Sequence, residues 1–252
     1  MLLLRTEHLD MRFGGLSALE DLNLAVPAGG LYGLIGPNGA GKTTVFNLIS
    51  GFVRPTSGRI LLDGTDVTGE PPHRLTASGI ARTFQNIRLF AELSVLDNVL
   101  AGYHCRSRAG WIEAILRLPR YRREAKAHRA KGLGLLEEVG LADAASLPAG
   151  TLPYGHQRKL EIARALATGP RILLLDEPAA GLNPGETQKL IEFIREIQGR
   201  YNLTIMVIEH NLRLVMGLCQ HLTVLDHGLT IAAGAPSEVK RNPQVIRAYL
   251  GK

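Results

Sequence analysis

The stretch LYGLIGPNGAGKTTVFNLISG, residues 31–51, decides the fold class of this chain. Residues 31–36 form a short apolar run that predicts a buried strand, and residues 43–51 have helical spacing up to a glycine, which is typical of a helix end. Between them, residues 36–44 match the pattern G-x-x-x-x-G-K-[ST] in the strand–loop–helix context that it requires. Glycines let backbone N–H groups surround phosphate, and the helix N-terminus adds positive potential. We therefore expect a phosphate-binding loop, with a glycine-rich turn that binds no nucleotide as the alternative.

Two residues of this loop carry the groups that a nucleoside triphosphate needs. The Lys42 ammonium can reach the β- and γ-phosphates, and the Thr43 hydroxyl suits Mg²⁺. The residues expected to contact ATP in this segment are Gly36, Pro37, Asn38, Gly39, Ala40, Gly41, Lys42, Thr43 and Thr44.

Two later apolar runs end in polar residues. RILLLDEP (171–178) brings Asp176 and Glu177 to the end of a predicted buried strand, where ligands bind in open α/β sheets. Asp176 suits the shell of Mg²⁺ and Glu177 suits activation of the attacking water, whereas an acidic pair that merely ends a strand is the alternative. LTIMVIEH (203–210) ends on His210, which a neighbouring strand would bring near the γ-phosphate.

The remaining patterns separate strand-rich from helical segments. The first 30 residues alternate apolar and polar positions and predict antiparallel strands with one solvent-facing side. Hairpins are expected around Asp63-Gly64 and in HLTVLDHGLTIAAG near the end of the chain. From about Leu93 to Ala167 the spacing is helical throughout.

These patterns predict an α/β fold with two parts. Residues 1–88 and 168–252 would form a nucleotide-binding core with an antiparallel β part, and residues 89–167 a helical subdomain. Gln85, in RTFQNIRLF, lies where the core gives way to the helical part, from where its amide could contact Mg²⁺ or the attacking water.

Composition and charge narrow the class of protein. The positive charge behind the net value of +6 is concentrated between His104 and Gly132, a segment with nine Lys or Arg residues and only two Glu. Such a local basic segment favours a contact with one anionic surface, or a solvated helix face, over general nucleic-acid binding. The sequence has no apolar run long enough to span a bilayer, no signal-peptide pattern and only two cysteines, so we expect an intracellular chain without disulfides.

In this order the motifs resemble the nucleotide-binding subunit of ATP-binding-cassette (ABC) transporters over essentially the whole chain. The resemblance implies a P-loop NTPase core (an ABC ATPase) with an antiparallel β subdomain and a helical subdomain, which binds ATP and Mg²⁺ and hydrolyses ATP. It assigns catalytic roles to Glu177, His210 and Gln85, and a magnesium site to Thr43, Gln85 and Asp176. It also assigns Phe13 in MRFGG to stacking on adenine and Asn183 in AAGLN to the D-loop.

The segment LPYGHQ falls where this family usually has L-S-G-G-Q, and it comprises the signature residues Pro153, Tyr154, Gly155, His156 and Gln157. In the family, each signature loop closes on the nucleotide of the other ATPase subunit. Pro153 removes a hydroxyl and an N–H and Tyr154 adds bulk, while a helix expected from about Gln157 still points its N-terminus the right way. We interpret this as a weakened loop in a heterodimer whose second ATPase subunit carries an intact signature, with a homodimer as the alternative.

Longer runs resemble one subgroup, the first of the two ATPase subunits of bacterial high-affinity branched-chain amino-acid importers. They include MRFGGLSAL, IGPNGAGKTTVFNLISGF, RTFQNIRLF, LDEPAAGLNP, IEHNLRLVMG and NPQVIRAYLG. The resemblance implies a peripheral protein on the cytoplasmic face of the inner membrane, two integral permease subunits, an indirect link to a periplasmic or extracellular substrate-binding protein, and no nucleic acid. The alternatives are the ATPase of a lipid or polysaccharide exporter, that of a urea or amide importer, and a soluble ABC ATPase acting on nucleic acid or ribosomes.

Overall fold

Two sheets organise the structure, a computed structural model that describes residues 1–107, 110–116, 118–210 and 212–250. The strands are β1 (Leu2–Phe13), β2 (Leu16–Leu22), β3 (Ala25–Pro27), β4 (Leu31–Ile35), β5 (Ser57–Leu62), β6 (Thr65–Asp66), β7 (Ile80–Arg82), β8 (Ile172–Asp176), β9 (Thr204–Ile208), β10 (His221–Asp226) and β11 (Leu229–Gly234).

The helices lie between or after the strands. They are α1 (Lys42–Ile49), α2 (Pro72–Ser78), α3 (Val95–Tyr103), α4 (Trp111–Ile115), α5 (Pro119–Glu138), α6 (Tyr154–Ala167), α7 (Pro184–Tyr201), α8 (Leu212–Leu218), α9 (Pro236–Val239) and α10 (Pro243–Leu250). Helices α3 to α6 follow one another between β7 and β8. Within the described residues, none of these helices combines the length and apolar character needed to cross a membrane.

The larger sheet carries the segments that end in the predicted site residues. Its order is β11-β10-β4-β9-β8-β7, with β10 and β11 antiparallel and every other pair of neighbours parallel. All residues of β8 and β9 are buried, as expected for parallel strands that are covered on both faces. The predicted α/β fold is confirmed.

The second sheet is antiparallel and contains the N-terminal strands. Its order is β2-β1-β5-β6, and β3 pairs with β1. Buried and exposed residues alternate along much of β1, which matches the predicted one-sided strand. The hairpin between β5 and β6 turns at Asp63 (φ 51°) and Gly64 (φ 78°), two left-handed positions of the kind that two-residue hairpin turns need.

Two features differ from the sequence-based expectation. Strand β7 and the short helix α2 before it were not predicted, because elements of three and seven residues leave too short a periodic pattern. Helix α6 begins at Tyr154, about one turn before the expected start near Gln157. The reason is Pro153, which occupies the N-cap position, where its fixed φ and missing N–H cost no helical hydrogen bond. The Pro153 carbonyl accepts bonds from the N–H groups of His156 and Gln157.

The core lies on both faces of the parallel sheet. Leu173 belongs to the cluster formed with α3, α5, α6 and α7, whereas Leu174 belongs to the cluster formed with α1 and the antiparallel sheet. Successive residues of a strand point to opposite faces, so β8 joins the two clusters.

We predict that Leu173→Ala and Leu174→Ala each lower the free energy of unfolding by about 2–5 kcal/mol, because each side chain is fully buried. Urea unfolding followed by circular dichroism measures both values. Leu229→Ala, at an exposed position of β11, is the control and should stay within about 0.5 kcal/mol of the wild type. If the free energy of unfolding fell in only one of the two β8 variants, one face of the sheet would not be covered.

Candidate active site

The strand order places three candidate segments side by side. β9 lies between β4 and β8, so the phosphate-binding loop after β4, Asp176 at the end of β8 and the residues after β9 leave the sheet at the same edge. β7 pairs in parallel with β8 and brings Gln85 to that edge.

The loop between β4 and α1 depends on glycine at positions where a side chain would collide. Gly41 is the N-cap of α1 with φ 101°, and an added Cβ there would lie 2.7 Å from the Ala18 carbonyl oxygen. At Gly36 an added Cβ would lie 2.1 Å from the Leu225 carbonyl oxygen. Because both clashes involve backbone atoms, these glycines are required for the path of the loop.

Lys42 is held inside this loop. Its Nζ donates hydrogen bonds to the carbonyl oxygens of Gly36 at 2.7 Å and Pro37 at 2.8 Å. Burial lowers the pKa of the Lys42 ammonium, and the nearby carboxylates of Glu177 and Asp176 act in the opposite direction. The cationic group is therefore positioned where a triphosphate would meet the N-terminus of α1.

Glu177 contacts two other predicted residues, Gln85 and His210. Its backbone adopts φ 44°, and its N–H donates to the Ile208 carbonyl oxygen at 2.9 Å. Gln85 Nε2 donates to Glu177 Oε2 at 3.0 Å, and His210 Nδ1 lies 3.5 Å from the same oxygen. The structure thus brings Gln85, Glu177 and His210 together, although they lie far apart in the sequence.

Asp176 has a partner that sequence reasoning missed. Its Oδ2 accepts a hydrogen bond from Arg82 Nη2 at 2.9 Å, and the side chains of both residues are only 6% exposed. Glu209 was missed as well, and this buried carboxylate accepts bonds from the N–H groups of Ala179 at 2.9 Å and His210 at 3.2 Å. Charged residues directly beside apolar strand runs are the signal that could have identified both.

A second buried ion pair joins α6 to the segment around Gln85. Arg158 Nη1 donates to Glu161 Oε2 at 2.9 Å and to the Phe84 carbonyl oxygen at 2.7 Å, and Arg158 Nη2 donates to the Gln85 carbonyl oxygen at 2.9 Å. Glu161 Oε1 accepts bonds from the N–H groups of Phe84 and Arg88. The backbone on both sides of Gln85 is therefore fixed by α6. In the sequence, a pair of opposite charges at positions i and i+3 on the apolar face of a predicted helix was the signal that could have identified this ion pair.

The comparisons with known proteins agree with this geometry. The family profile described as "ABC transporter" matches residues 19–180, and the profile "Branched-chain amino acid ATP-binding cassette transporter" matches residues 230–252. The chain belongs to the ABC transporter family.

Two relatives of this ABC protein are high-affinity branched-chain amino acid transport ATP-binding proteins. BraF of Pseudomonas aeruginosa is 45% identical and LivG of Escherichia coli K12 is 46% identical, each over 99% of this chain and 98% of the relative. LptB of Acidithiobacillus ferridurans, a lipopolysaccharide export system ATP-binding protein, is 34% identical over 249 residues. A crystal structure of an ATP-binding cassette of an ABC transporter in its ADP conformation superposes with a TM-score of 0.87 and 33% identity over the whole of both chains.

The signature segment of this ABC protein opens α6 at the surface. Pro153, Tyr154 and His156 are exposed, Gly155 is half-buried, and Gln157 Nε2 donates to the Leu152 carbonyl oxygen at 2.8 Å. The Tyr154 hydroxyl lies 3.4 Å from Arg158 Nη2, and an added Cβ at Gly181 would lie 3.3 Å from the Tyr154 ring. The bulky Tyr154 side chain therefore packs along α6 and near Gly181.

Two predicted residues lie away from this cluster of contacts. Phe13 ends β1 with 49% of its surface exposed, which leaves its ring face free to stack on a base. Asn183 is the N-cap of α7, where its Oδ1 accepts a bond from the Glu186 N–H at 3.0 Å. Their roles in nucleotide binding and in the D-loop stay predictions.

We predict that Arg158→Met lowers the free energy of unfolding by about 3–5 kcal/mol, because it leaves the Glu161 carboxylate buried without its cation. Lys159→Met is the matched control, since Lys159 lies over the Phe193 ring and its loss should cost no more than about 1 kcal/mol. Denaturant unfolding of Arg158→Met, Glu161→Gln and the double variant gives their interaction energy, expected at about 0.5–3 kcal/mol. If the losses in free energy of unfolding of the two single variants simply added up in the double variant, the pairing of Arg158 with Glu161 would be contradicted.

Proposed function

We propose that this chain is the ATP-hydrolysing subunit of an importer for branched-chain amino acids such as leucine, isoleucine and valine. The observation that carries the proposal is the convergence of the phosphate-binding loop, Asp176 and the Gln85–Glu177–His210 group at one sheet edge, in a chain with full-length relatives named for branched-chain amino acid transport. The C-terminal profile at residues 230–252 supports the same substrate class. The exporter alternative has weaker support, because the relative from lipopolysaccharide export is less similar.

Nucleotide binding is assigned to the loop from Gly36 to Thr44. Backbone N–H groups at the N-terminus of α1 bind the phosphate oxygens, and the Lys42 ammonium adds a charged hydrogen bond to the β- and γ-phosphates. The exposed Phe13 ring offers the adenine a stacking surface. Together these contacts fix the γ-phosphate at the edge where β8 and β9 end.

The residues present fit a magnesium site. Thr43, Asp176 and Gln85 offer a hydroxyl, a carboxylate and an amide oxygen, which are the hard ligands that Mg²⁺ prefers. Mg²⁺ in proteins is usually bound by one or two carboxylates together with substrate phosphates, so the single carboxylate of Asp176 suffices from the protein side. When bound there, Mg²⁺ neutralises charge that develops on the β- and γ-phosphate oxygens.

Hydrolysis is assigned to Glu177. In the described part of the chain, its contacts with Gln85 and His210 both fall on Oε2, so we assign Oε1 to accept the proton of the attacking water. The Gln85 amide fixes the orientation of the carboxylate, and His210 Nδ1 lies near the same oxygen. The carboxylate is thereby oriented before the substrate arrives.

The assembly is proposed from the family. A second ATPase subunit would close its signature loop on this chain's nucleotide, and two integral permease subunits would receive the motion at the helical part, residues 89–167. A periplasmic or extracellular substrate-binding protein acts indirectly, and the chain itself lies peripherally on the cytoplasmic face of the inner membrane. Copurification from the native membrane tests the assembly, and two permease subunits are expected to accompany this chain. The assembled complex should also take up labelled leucine in an ATP-dependent manner. Recovery with RNA or with a lipid exporter would overturn the proposal.

We predict that Lys42→Ala weakens ATP binding about 10- to 100-fold, because a charged hydrogen bond to phosphate is worth about 1.5–3 kcal/mol. Glu177→Gln should retain ATP binding and slow turnover about 10²- to 10⁴-fold, since the amide keeps the shape but accepts no proton. Equilibrium binding and phosphate release in the assembled transporter measure the two effects. Wild-type turnover by Glu177→Gln would refute the assignment of the base.

We also predict unequal ATP sites in a heterodimer. Pro153 lacks the hydroxyl that the family's serine offers to the partner's γ-phosphate, while the N–H groups of Tyr154 and Gly155 still open α6. Loss of one such donor costs about 10²–10³ in rate by analogy with oxyanion holes. Neutralising each glutamate in turn should show that turnover depends mainly on this chain's Glu177. Equal inhibition from both glutamates, or fast turnover by this chain alone, would contradict the asymmetry.

A further inference from the structure

Arg82 is a buried cation that the proposed chemistry does not use. It ends β7, and its side chain is 6% exposed. Nη2 donates to Asp176 Oδ2 at 2.9 Å, while Nη1 donates to Asn47 Oδ1 at 2.8 Å and to Ser50 Oγ at 3.0 Å. One guanidinium thus joins the end of β8 to α1.

Three aromatic rings surround the same guanidinium. Its Cζ lies 5.6 Å from the ring centroid of Phe46, 5.7 Å from that of Phe52 and 5.2 Å from that of Phe84. Such rings attract a cation and exclude water from it. Among the described residues, Arg82 Nε has no hydrogen-bond partner, so the side chain is kept in this apolar cage despite an unsatisfied N–H. The surroundings therefore determine its position closely.

The two elements that Arg82 joins, β8 and α1, carry two of the three proposed magnesium ligands, Asp176 and Thr43. Thr43 lies in the first turn of α1, Asn47 and Ser50 follow on the same helix and at its C-cap, and Asp176 ends β8. A rotation of the Asp176 carboxylate would break its bond to a guanidinium that α1 holds in place. Arg82 bonds to Oδ2 of Asp176, and we assign Oδ1 to the metal or its water.

We propose that Arg82 is a positioning residue for the metal site: it fixes the Asp176 carboxylate relative to the helix that carries Thr43. The proposal deepens the proposed function and rests on its assignment of Asp176 to Mg²⁺. A lysine at this position cannot replace the arginine, because a single ammonium lacks the planar fork that reaches Asn47, Ser50 and Asp176 at once. Partners that orient a metal ligand typically change metal affinity about 10- to 100-fold when they are removed.

The test separates metal-dependent from metal-independent nucleotide binding by the full-length chain. The affinity for a fluorescent, non-hydrolysable ATP analogue is measured first in EDTA and then during a titration with Mg²⁺. Arg82→Lys should bind the analogue in EDTA within about twofold of the wild type, since the phosphate-binding loop is unchanged, but should need about 10- to 100-fold more Mg²⁺ for half of the metal-dependent gain. A purely structural role would weaken both measurements together.

Three further variants sharpen the result. Arg88→Lys is the matched control, because Arg88 lies 4.3 Å from the same Phe84 ring at an exposed position, and its magnesium titration should equal that of the wild type. Asn47→Ala removes one anchor of the guanidinium while leaving Arg82 in place, so it should shift the titration in the same direction by less. Asn47→Ala carries the test if Arg82→Lys does not fold, as judged by circular dichroism. Asp176→Asn should abolish the metal-dependent gain.

The outcomes distinguish the two proposals. An unchanged magnesium titration in Arg82→Lys, with Asp176→Asn defective, would overturn the role of Arg82 and leave the proposed function standing. If the substitution of Asp176 itself leaves the titration unchanged, the assignment of the metal ligand is wrong, and the role of Arg82 falls with it. An equal shift in Arg88→Lys would also overturn the proposal, because it would show that disturbing the Phe84 ring is sufficient.

Discussion

The pairing of β9 between β4 and β8 is the constraint on which the rest of the structure depends. The three strands run parallel in register, so the phosphate-binding loop, Asp176-Glu177 and Glu209-His210 must leave the sheet at one edge. β7 extends the same edge on the far side of β8 and adds Arg82 and the segment that follows it. No single segment could form such a site, because each contributes one or two groups. The buried apolar faces of the sheet hold those groups at fixed distances.

Two buried arginines, Arg82 and Arg158, hold the segment from residue 82 to 88 at its start and in its middle. At its start, Arg82 bonds to Asp176 and to α1; at its middle, Arg158 and Glu161 bond to the backbone around Gln85. Buried ion pairs are costly to desolvate, so they add little to stability compared with apolar packing of the same shape. Here these ion pairs fix the position of residues 82–88 relative to α1, α6 and β8. A movement of α6 would be transmitted through the buried Arg158 and Glu161 side chains to the backbone around Gln85, whose amide contacts Glu177.

The signature segment, residues 153–157, contacts the same network of buried side chains through Tyr154. Tyr154 departs from the family's usual glycine, yet its hydroxyl lies against Arg158 and its ring packs near Gly181. Tyr154 is thus accommodated by contacts with Arg158 of α6 and with the chain at Gly181. Pro153 fits the N-cap of α6 without breaking a helical hydrogen bond, so the helix and its positive N-terminus are kept. What Pro153 lacks is the hydroxyl of the serine that the family usually has at this position.

The sequence by itself determined the α/β class, the phosphate-binding loop and most helices and strands, because each depends on periodicity, turn residues or one contiguous motif. It also placed Gln85, Glu177 and His210 in one group through the motif order, which their contacts agree with. It missed β7, the start of α6 and the partners Arg82, Arg158, Glu161 and Glu209. Their importance arises from contacts between residues as far as 94 positions apart, as between Arg82 and Asp176. A local pattern shows a charged residue but not the buried group that it will meet, and only the packing of α1, α6 and the sheet decided those pairs.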